Sequence, residues 1–219
     1  DVPSLDVLGT ILGEGRSSRL FRRVREQLGV VHSVDAWTYS PGNPGLIGIS
    51  GVADGDKCVA SWESILSEVE RAKEEGFVEE EIEKAKKIFL AGTLGAKKTM
   101  QGQAQDLGGS WMAAHDLGFS GRYLDRVKQL SLDDIQRVAQ EYLIEPNRTL
   151  AGLLPAGSKA KTTNKVELHQ QNPIELKPLS NGLRLLTKED HRLPFVELRA
   201  VFRAGVLAET EDCNGQTQL

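Results

Sequence analysis

Cysteine is scarce in this sequence: Cys58 and Cys213 are the only two in 219 residues, and they lie too far apart to form a metal-ligand motif. Aromatic residues make up only 5% of the chain. There is no apolar run of about 18 residues, so no segment is predicted to span a membrane. No signal peptide is recognisable at the start, and the compartment of this predicted soluble protein stays open between the bacterial periplasm and the cytoplasm.

Neither sign of charge dominates. The net charge of −4 and the isoelectric point near 5.7 give no reason to expect a nucleic-acid partner. Arginine is nevertheless concentrated in one short helical stretch, at Arg19, Arg22, Arg23 and Arg25. One hypothesis is therefore an anion-binding module that uses the Arg19–Arg25 helix, whose binding would weaken as salt is added.

Apolar periodicity predicts a helix-rich N-terminal region. Helices are expected over residues 4–15, 17–28, 57–75, 79–107 and 131–143. Ser131 is expected to cap the last of these helices.

Two further segments have the composition of strands. The β-branched and aromatic residues of "VVHSVDAWTY" and "LIGISGV", separated by "SPGNPG", predict a hairpin over residues 30–53. The segment "RTLAGLLP", residues 148–155, is predicted to return as a strand. The predicted fold class is therefore α+β, with an antiparallel sheet and helices packed on one of its faces.

The pattern changes after residue 157. Residues 158–172 are polar, rich in lysine and poor in apolar periodicity, which is typical of a linker. Beyond them, "IELKPLSNGLRLLTKED" predicts a hairpin with a turn at residues 180–182, and "FVELRAVFRAG" predicts another strand. We therefore expect one domain over residues 1–157 and the beginning of a second over residues 173–219.

Familiar catalytic and phosphate-binding motifs are not supported. "GEGRSS" has no preceding strand and no third glycine, and "GTLGAKKT" lacks the glycine directly before lysine that a P-loop requires. His115 and His191 stand alone, without a second ligand at metal-binding spacing. We predict no catalytic residue and no metal ligand from these motifs.

Arg25 and His32 are the candidate site residues. Arg25 lies in the last turn of its helix, where the helix dipole favours a cation, and His32 follows seven residues later on the predicted strand. On that strand His32 is expected to share a face with Val30, Val34 and Ala36. The two side chains could together bind a peptide carbonyl by charge-assisted hydrogen bonds. The alternative is a structural arginine beside a half-buried histidine.

The order of these elements resembles the insulinase/pitrilysin family of zinc metallopeptidases, which share a fold with mitochondrial processing peptidase. The stretch "ILGEGRSSRLFRRVREQLGVVHSVDAW" is similar to the family's helix–turn–strand segment. The resemblance continues through "EEEIEKAKKIFLAGT" and "YLDRVKQLSLDDIQRVAQEYL" to "NRTLAGLLP". It implies that residues 1–155 are the second domain of a peptidase half, with one or more strands expected before residue 1, and that residues 172–219 begin the next half.

Members of this family bind zinc through an H-x-x-E-H motif. The resemblance places the first histidine of that motif at Gln218, so the half that begins near residue 173 is expected to be degenerate and to lack zinc. It also aligns Arg25 and His32 with the family's substrate-binding arginine and tyrosine. A histidine in place of tyrosine, in a domain that precedes a degenerate half, suggests a vestigial pair.

The resemblance implies a parent protein that is a zinc-dependent endopeptidase acting on peptides. This chain would form part of the chamber wall, would carry no zinc site and would be inactive alone. Its partner would be the other half of the same polypeptide or a partner subunit. The alternative within the same fold is a non-catalytic scaffold or partner subunit.

Overall fold

Helix α1, Val2–Gly13, lies at the centre of the N-terminal part of the chain in a computed structural model that describes residues 1–41, 45–155 and 173–189. Its last seven residues are all buried, because α1 packs against the sheet and against other helices. The helix begins at Val2, two residues before the predicted start at residue 4, with Pro3 in its first turn.

A two-stranded antiparallel sheet packs on α1. Strand β1, Ser33–Tyr39, pairs with β2, Leu46–Val52, in a register that places Ser33 opposite Val52. The approach of α1 to β1 is close at Gly13, where a Cβ atom would lie 1.9 Å from the backbone nitrogen of Ala36. The predicted hairpin over residues 30–53 is confirmed.

The other helices complete the first unit of the chain, which comprises residues 1–171. They are the π-helical turn Phe21–Gln27, α2 (Cys58–Glu75), α3 (Glu79–Ala96), α4 (Met100–Ala114), α5 (Phe119–Lys128) and α6 (Leu132–Tyr142). The core is built mainly from aliphatic side chains: Val7, Leu8, Ile11, Leu12, Leu20, Val24, Ile82, Val127, Ile135 and Val138. This is the α+β class expected from the sequence.

The predicted helix over residues 79–107 is instead two helices. Thr99 has extended backbone angles, and its side-chain oxygen accepts a hydrogen bond from the backbone N–H of Gly102 at 3.0 Å. This N-cap starts a new helix where the apolar pattern suggested continuity. The cap predicted at Ser131 is confirmed, because its side chain accepts from the N–H of Asp134 while the Asp134 carboxylate accepts from the N–H of Ser131.

In the helical region one helix was missed and one predicted strand is wrong. Helix α5 was not expected, although Leu124 and Val127 anchor it in the core. Residues 148–155 form no strand within the described part of the chain, although the backbone at Arg148 is extended. They lie instead along α2, where Gly152 sits directly against the ring of Trp62.

The second unit of the chain comprises residues 172–219, of which 173–189 are described. Strands β3, Glu175–Pro178, and β4, Arg184–Thr187, form an antiparallel hairpin. Gly182 adopts a φ of 84° in the turn, and the side chain of Asn181 accepts a hydrogen bond from the N–H of Leu183. The predicted turn at residues 180–182 is confirmed. No helix among the described residues has the length and apolar character needed to cross a bilayer.

Candidate functional site

The segment that carries Arg25 is a π-helical turn rather than the ordinary helix predicted. The backbone N–H of Leu28 donates to the carbonyl of Arg23 at 3.0 Å, which is a five-residue spacing. Val24 is fully buried and anchors the turn, and Gly29, with a φ of 61°, reverses the chain after it. Arg25 lies in the last turn, and its guanidinium stacks over the ring of Phe21 at 4.6 Å.

Arg25 and His32 are in contact, but the arginine binds a backbone atom of the histidine and not its side chain. The Nε of Arg25 donates to the backbone carbonyl oxygen of His32 at 2.6 Å. This bond ties the end of the π-helical turn to the chain that enters β1. The arginine therefore holds the local backbone, in contrast to the expected arrangement of two side chains that converge on a substrate carbonyl.

The imidazole of His32 has a different partner. Its Nε2 lies 3.0 Å from Oδ1 of Asp54, and the Nζ of Lys57 lies 3.6 Å from Oδ2 of the same carboxylate. Lys57 also donates to the backbone carbonyl of Gly29 at 3.4 Å. The hydrogen bond from His32 is the main reason that the pKa of Asp54 lies below its ordinary range, and the positive charge of Lys57 acts in the same direction.

Arg25, His32, Asp54 and Lys57 form what we call the Arg25–Lys57 brace. It joins the π-helical turn, the start of β1 and the connection from β2 to α2. Asp54 and Lys57 were missed because they lie more than 20 residues from His32 in sequence. The hairpin register could have revealed them, because it places His32 beside the end of β2. The backbone N–H of His32 donates to the Val52 carbonyl at 2.7 Å.

The expectation that His32 shares the inner face of β1 is wrong. Val34 is buried and Ala36 is half-buried, but the side chain of His32 is 46% exposed. The reason is that His32 precedes the first residue of the strand and turns outward towards Asp54.

The arginine-rich stretch does not present a single basic face. The guanidinium of Arg19 contacts both carboxylate oxygens of Glu81 and the Gly76 carbonyl. Arg23 donates to the side chain of Gln27 at 2.8 Å. Two of the four arginines thus hold neighbouring groups of the fold, and Arg25 belongs to the brace, which leaves little support for an anion-binding helix.

The described residues do not fit a zinc ion. Zinc in a protease requires three protein ligands, and no group of three His, Cys, Asp or Glu side chains with suitable spacing occurs within residues 1–41, 45–155 and 173–189. His32 and Asp54 supply two ligands at most, and the Lys57 ammonium beside Asp54 would repel a cation. His115 lies far from this pair in sequence, at the end of α4. Gln218, His191 and Cys213 lie outside the described residues.

A groove of about 760 Å³ lies against β2, and Asp54 of the brace is among the residues that line it. Its walls are β2, the outer face of α2 and the extended segment that follows α6. Trp62, Ile65 and Leu66 of α2 line this groove, and Ile65 also packs against the core. The core-facing side of α2 carries Ser61 and Glu68, because Ser61 donates to the Val30 carbonyl and Glu68 is paired with arginine.

Comparison with known proteins identifies relatives of this chain. Residues 1–89 match the family described as Peptidase M16 inactive domain. An uncharacterized zinc protease from Streptomyces coelicolor is 28% identical over 146 residues, which are 64% of this chain and 30% of that protein. An uncharacterized zinc protease from Rickettsia felis is 24% identical over 62% of this chain and 32% of its own length. The chain thus spans about a third of the length of the curated relatives it matches.

Two solved structures have the same fold over most of their length. A candidate zinc protease from Bordetella pertussis Tohama I superposes with a TM-score of 0.62 at 26% identity, over 70% of this chain and 84% of that one. The inactive peptidase domain of a candidate zinc protease from Bordetella parapertussis gives 0.63 at 25% identity, over 73% and 84%. The printed sequence contains no H-x-x-E-H motif. These matches thus support an insulinase-like Peptidase M16 fragment that lacks the zinc motif and whose residues 1–89 are similar to that family's inactive domain.

Proposed function

We propose that this chain is a wall segment of a zinc-dependent endopeptidase that binds its zinc outside residues 1–219. The observation that carries the proposal is the match of residues 1–89 to an inactive peptidase domain, in a sequence without the zinc motif. The curated zinc-protease relatives are about three times as long as the region they share with this chain, which leaves room for the zinc-binding part elsewhere. The substrate would be a peptide, and the partner would be the other half of the polypeptide or a second subunit.

Within this function, the Arg25–Lys57 brace has a structural role. The Nε of Arg25 is bound to a backbone carbonyl, and the Nε2 of His32 is bound to Asp54. A substrate carbonyl would have to compete with these intramolecular partners. We therefore propose that Arg25 and His32 are a vestigial pair that supports the hairpin and does not bind the peptide.

The domain boundaries remain those proposed from the sequence. One domain covers residues 1–157, residues 158–172 form a linker, and a second domain starts at residue 173. The polar composition of the linker supports this division. Limited proteolysis with trypsin is expected to cut first at Lys159, Lys161 or Lys165. Cleavage within α2 or α3 while this stretch stays intact would contradict the division.

The principal experiment compares the 219-residue chain with the longest natural polypeptide that contains it. After chelation and zinc readdition, the 219-residue chain is expected to hold no stoichiometric zinc and to cleave no peptide. The longer polypeptide is expected to hold one zinc and to cleave unfolded peptides. Tight zinc binding by the short chain would overturn the proposal. A longer polypeptide with neither zinc nor cleavage would favour the scaffold alternative.

The role of the brace is tested in the same longer polypeptide. Arg25→Ala is expected to lower the free energy of unfolding while kcat/KM stays within about twofold of the parent value. Arg22→Ala, at an exposed position on the same turn, is the matched control. A loss of kcat/KM of tenfold or more at unchanged stability would show that Arg25 binds substrate.

A further inference from the structure

The turn between β3 and β4 contains the dipeptide Asn181-Gly182, and hydrogen bonds define its geometry. The N–H of Gly182 donates to the Leu179 carbonyl at 3.0 Å, and the N–H of Leu179 donates to the Leu183 carbonyl at 2.8 Å. The N–H of Leu183 donates to Oδ1 of Asn181 at 3.2 Å. The side chain of Asn181 therefore folds back along the chain and closes a turn around the backbone of Gly182.

This arrangement places the Asn181 side chain beside a nucleophile of its own backbone. The amide nitrogen of a residue that follows asparagine can attack the side-chain carbonyl carbon and close a five-membered succinimide ring. A side chain on the following residue crowds this ring closure, but Gly182 has none. Among the described residues, only the chain neighbours of Gly182 have atoms within 4 Å of the place that a Cβ would occupy. Approach to the Gly182 nitrogen is therefore open.

The N–H of Leu183 favours the attack. When the Gly182 nitrogen adds to Cγ of Asn181, negative charge develops on Oδ1. The N–H of Leu183 already donates to this oxygen at 3.2 Å. A fixed backbone donor at such an oxygen stabilises the charge of the transition state, as donors do in an oxyanion hole. The turn thus supplies one element of catalysis for its own modification.

One contact of the turn opposes the attack. The Gly182 nitrogen must lose its proton before it reacts, so its hydrogen bond to the Leu179 carbonyl must open. The opening costs little, because β3 and β4 have only four residues each and all of these residues are exposed. A two-stranded hairpin of this kind is marginally stable in water. We therefore expect the turn to open often enough for the reaction to proceed in the folded chain.

Asn147 provides a matched reference in the same chain. It is exposed, as Asn181 is, but the residue that follows it is Arg148, whose side chain crowds the backbone nitrogen. The Nδ2 of Asn147 also donates to the Tyr142 carbonyl at 3.4 Å. The difference between the two asparagines therefore lies in the next residue and in the hydrogen bonds of the side chain, and not in exposure.

We propose that Asn181 is a site of spontaneous deamidation in the folded chain. The Gly182 nitrogen, after losing its proton to solvent, forms a bond to Cγ of Asn181, and the bond from Cγ to Nδ2 breaks with release of ammonia. Water then opens the succinimide at either of its carbonyl carbons and leaves aspartate or isoaspartate. Both products add a negative charge to the turn, and isoaspartate also adds a methylene group to its main chain. This proposal does not depend on the proposed peptidase function.

The test is incubation of the folded 219-residue chain at about pH 8, followed by peptide mass spectrometry with fragmentation that distinguishes aspartate from isoaspartate. Asn181 is expected to convert at least tenfold faster than Asn147. Gly182→Ala is expected to slow the conversion of Asn181 at least tenfold. This holds even if alanine disrupts the turn at a φ of 84°, because the added methyl group crowds the nitrogen in any conformation. The second Asn-Gly pair, at residues 214–215, lies outside the described residues and is followed in its own peptide.

The same measurement in urea separates the dipeptide from the fold. If Asn181 reacts quickly in the unfolded chain but no faster than Asn147 in the folded chain, the turn protects the asparagine and the proposal is overturned. A rate at Asn181 that Gly182→Ala leaves unchanged would also overturn it, since the Gly182 nitrogen would not be the unhindered nucleophile.

Discussion

The guanidinium of Arg19 and the carboxylate of Glu81 form a bidentate ion pair across 62 residues of sequence, with N–O distances of 2.8 and 2.7 Å. The same guanidinium donates to the Gly76 carbonyl at 2.7 Å and lies 4.9 Å from the centre of the Phe77 ring. Glu81 in turn accepts the N–H of Val78 and so caps the start of α3. A single arginine thus fixes the end of α2 and the beginning of α3 against the π-helical turn.

Arg19→Lys is expected to destabilise the chain by about 1.5–3 kcal/mol, because an ammonium group cannot reproduce the bidentate pair and the bond to Gly76 together. Urea denaturation at pH 7 measures the effect. Arg16→Lys, at an exposed arginine, is the control and is expected to change the free energy of unfolding by less than about 0.5 kcal/mol. If the two substitutions changed the free energy of unfolding equally, the bidentate geometry at Arg19 would not contribute to stability.

Acid is expected to weaken the fold through Glu81. Burial raises the pKa of this carboxyl, but hydrogen bonds from Arg19 and from the Val78 N–H, with the charge of Arg19, outweigh it and bring the pKa below 4.5. A carboxyl whose pKa is lower in the folded state contributes to the stability of the fold above pH 4.5. This stabilisation is lost as the pH falls below 4.5. Urea denaturation between pH 6 and pH 3.5 should therefore show the stability gap between the parent and Glu81→Gln closing with acid. A gap that is constant or widens would contradict this assignment.

A second, partly buried link joins α1 to β1 and α5. The carboxylate of Asp6 accepts hydrogen bonds from Thr38, at 2.5 Å, and from the hydroxyl of Tyr123. Burial raises the pKa of Tyr123, and the neighbouring Asp6 carboxylate raises it further. A phenol with a raised pKa contributes stability below its ordinary value of 10.0, and this stability is lost as the pH rises above that value.

Alkaline titration at 295 nm tests this link. Of the three tyrosines, Tyr123 is expected to ionise only when the chain unfolds, because burial and the Asp6 carboxylate raise its pKa. Tyr123→Phe should remove the late step and cost about 0.5–1.5 kcal/mol at pH 7. Persistence of the late step in Tyr123→Phe would assign it to another tyrosine.

Local sequence signals predicted the elements whose cause is local. The β1–β2 hairpin was predictable because segments rich in β-branched residues flank the sequence "SPGNPG". Helix α6 was predictable because Ser131 and Asp134 form a capping pair within four residues. The end of α2 at Gly76 followed from a glycine whose φ of 76° other residues rarely adopt. In these cases the residues that decide the structure are neighbours in sequence.

The features that were missed depend on distant partners. Glu68 is buried on α2, where it pairs with Arg71, and the apolar pattern of the sequence gave no sign that a glutamate would be buried there. The π-helical turn depends on the tertiary setting of Val24, and Asp54 reaches His32 only through the register of the hairpin. The sequence predicted that Arg25 and His32 lie close together. Residue spacing could not show that Arg25 binds the backbone carbonyl of His32, or that the imidazole of His32 binds Asp54.

The last prediction concerns the contact that seats the hairpin on the central helix. A Cβ atom on Gly13 would lie 1.9 Å from the backbone nitrogen and 2.7 Å from the Cα of Ala36, both of which are backbone atoms that cannot rotate away. Gly13→Ala must therefore push β1 away from α1 and is expected to cost about 2 kcal/mol or more. Gly9→Ala, one turn earlier, meets only the methyl group of Thr38 at 3.7 Å and should stabilise the helix by roughly 0.5–1 kcal/mol. Thermal and urea unfolding of the two variants measure the contrast. Equal stability of the two variants would contradict this. It would mean that α1 and β1 lie further apart at Gly13 than the distance of 1.9 Å implies.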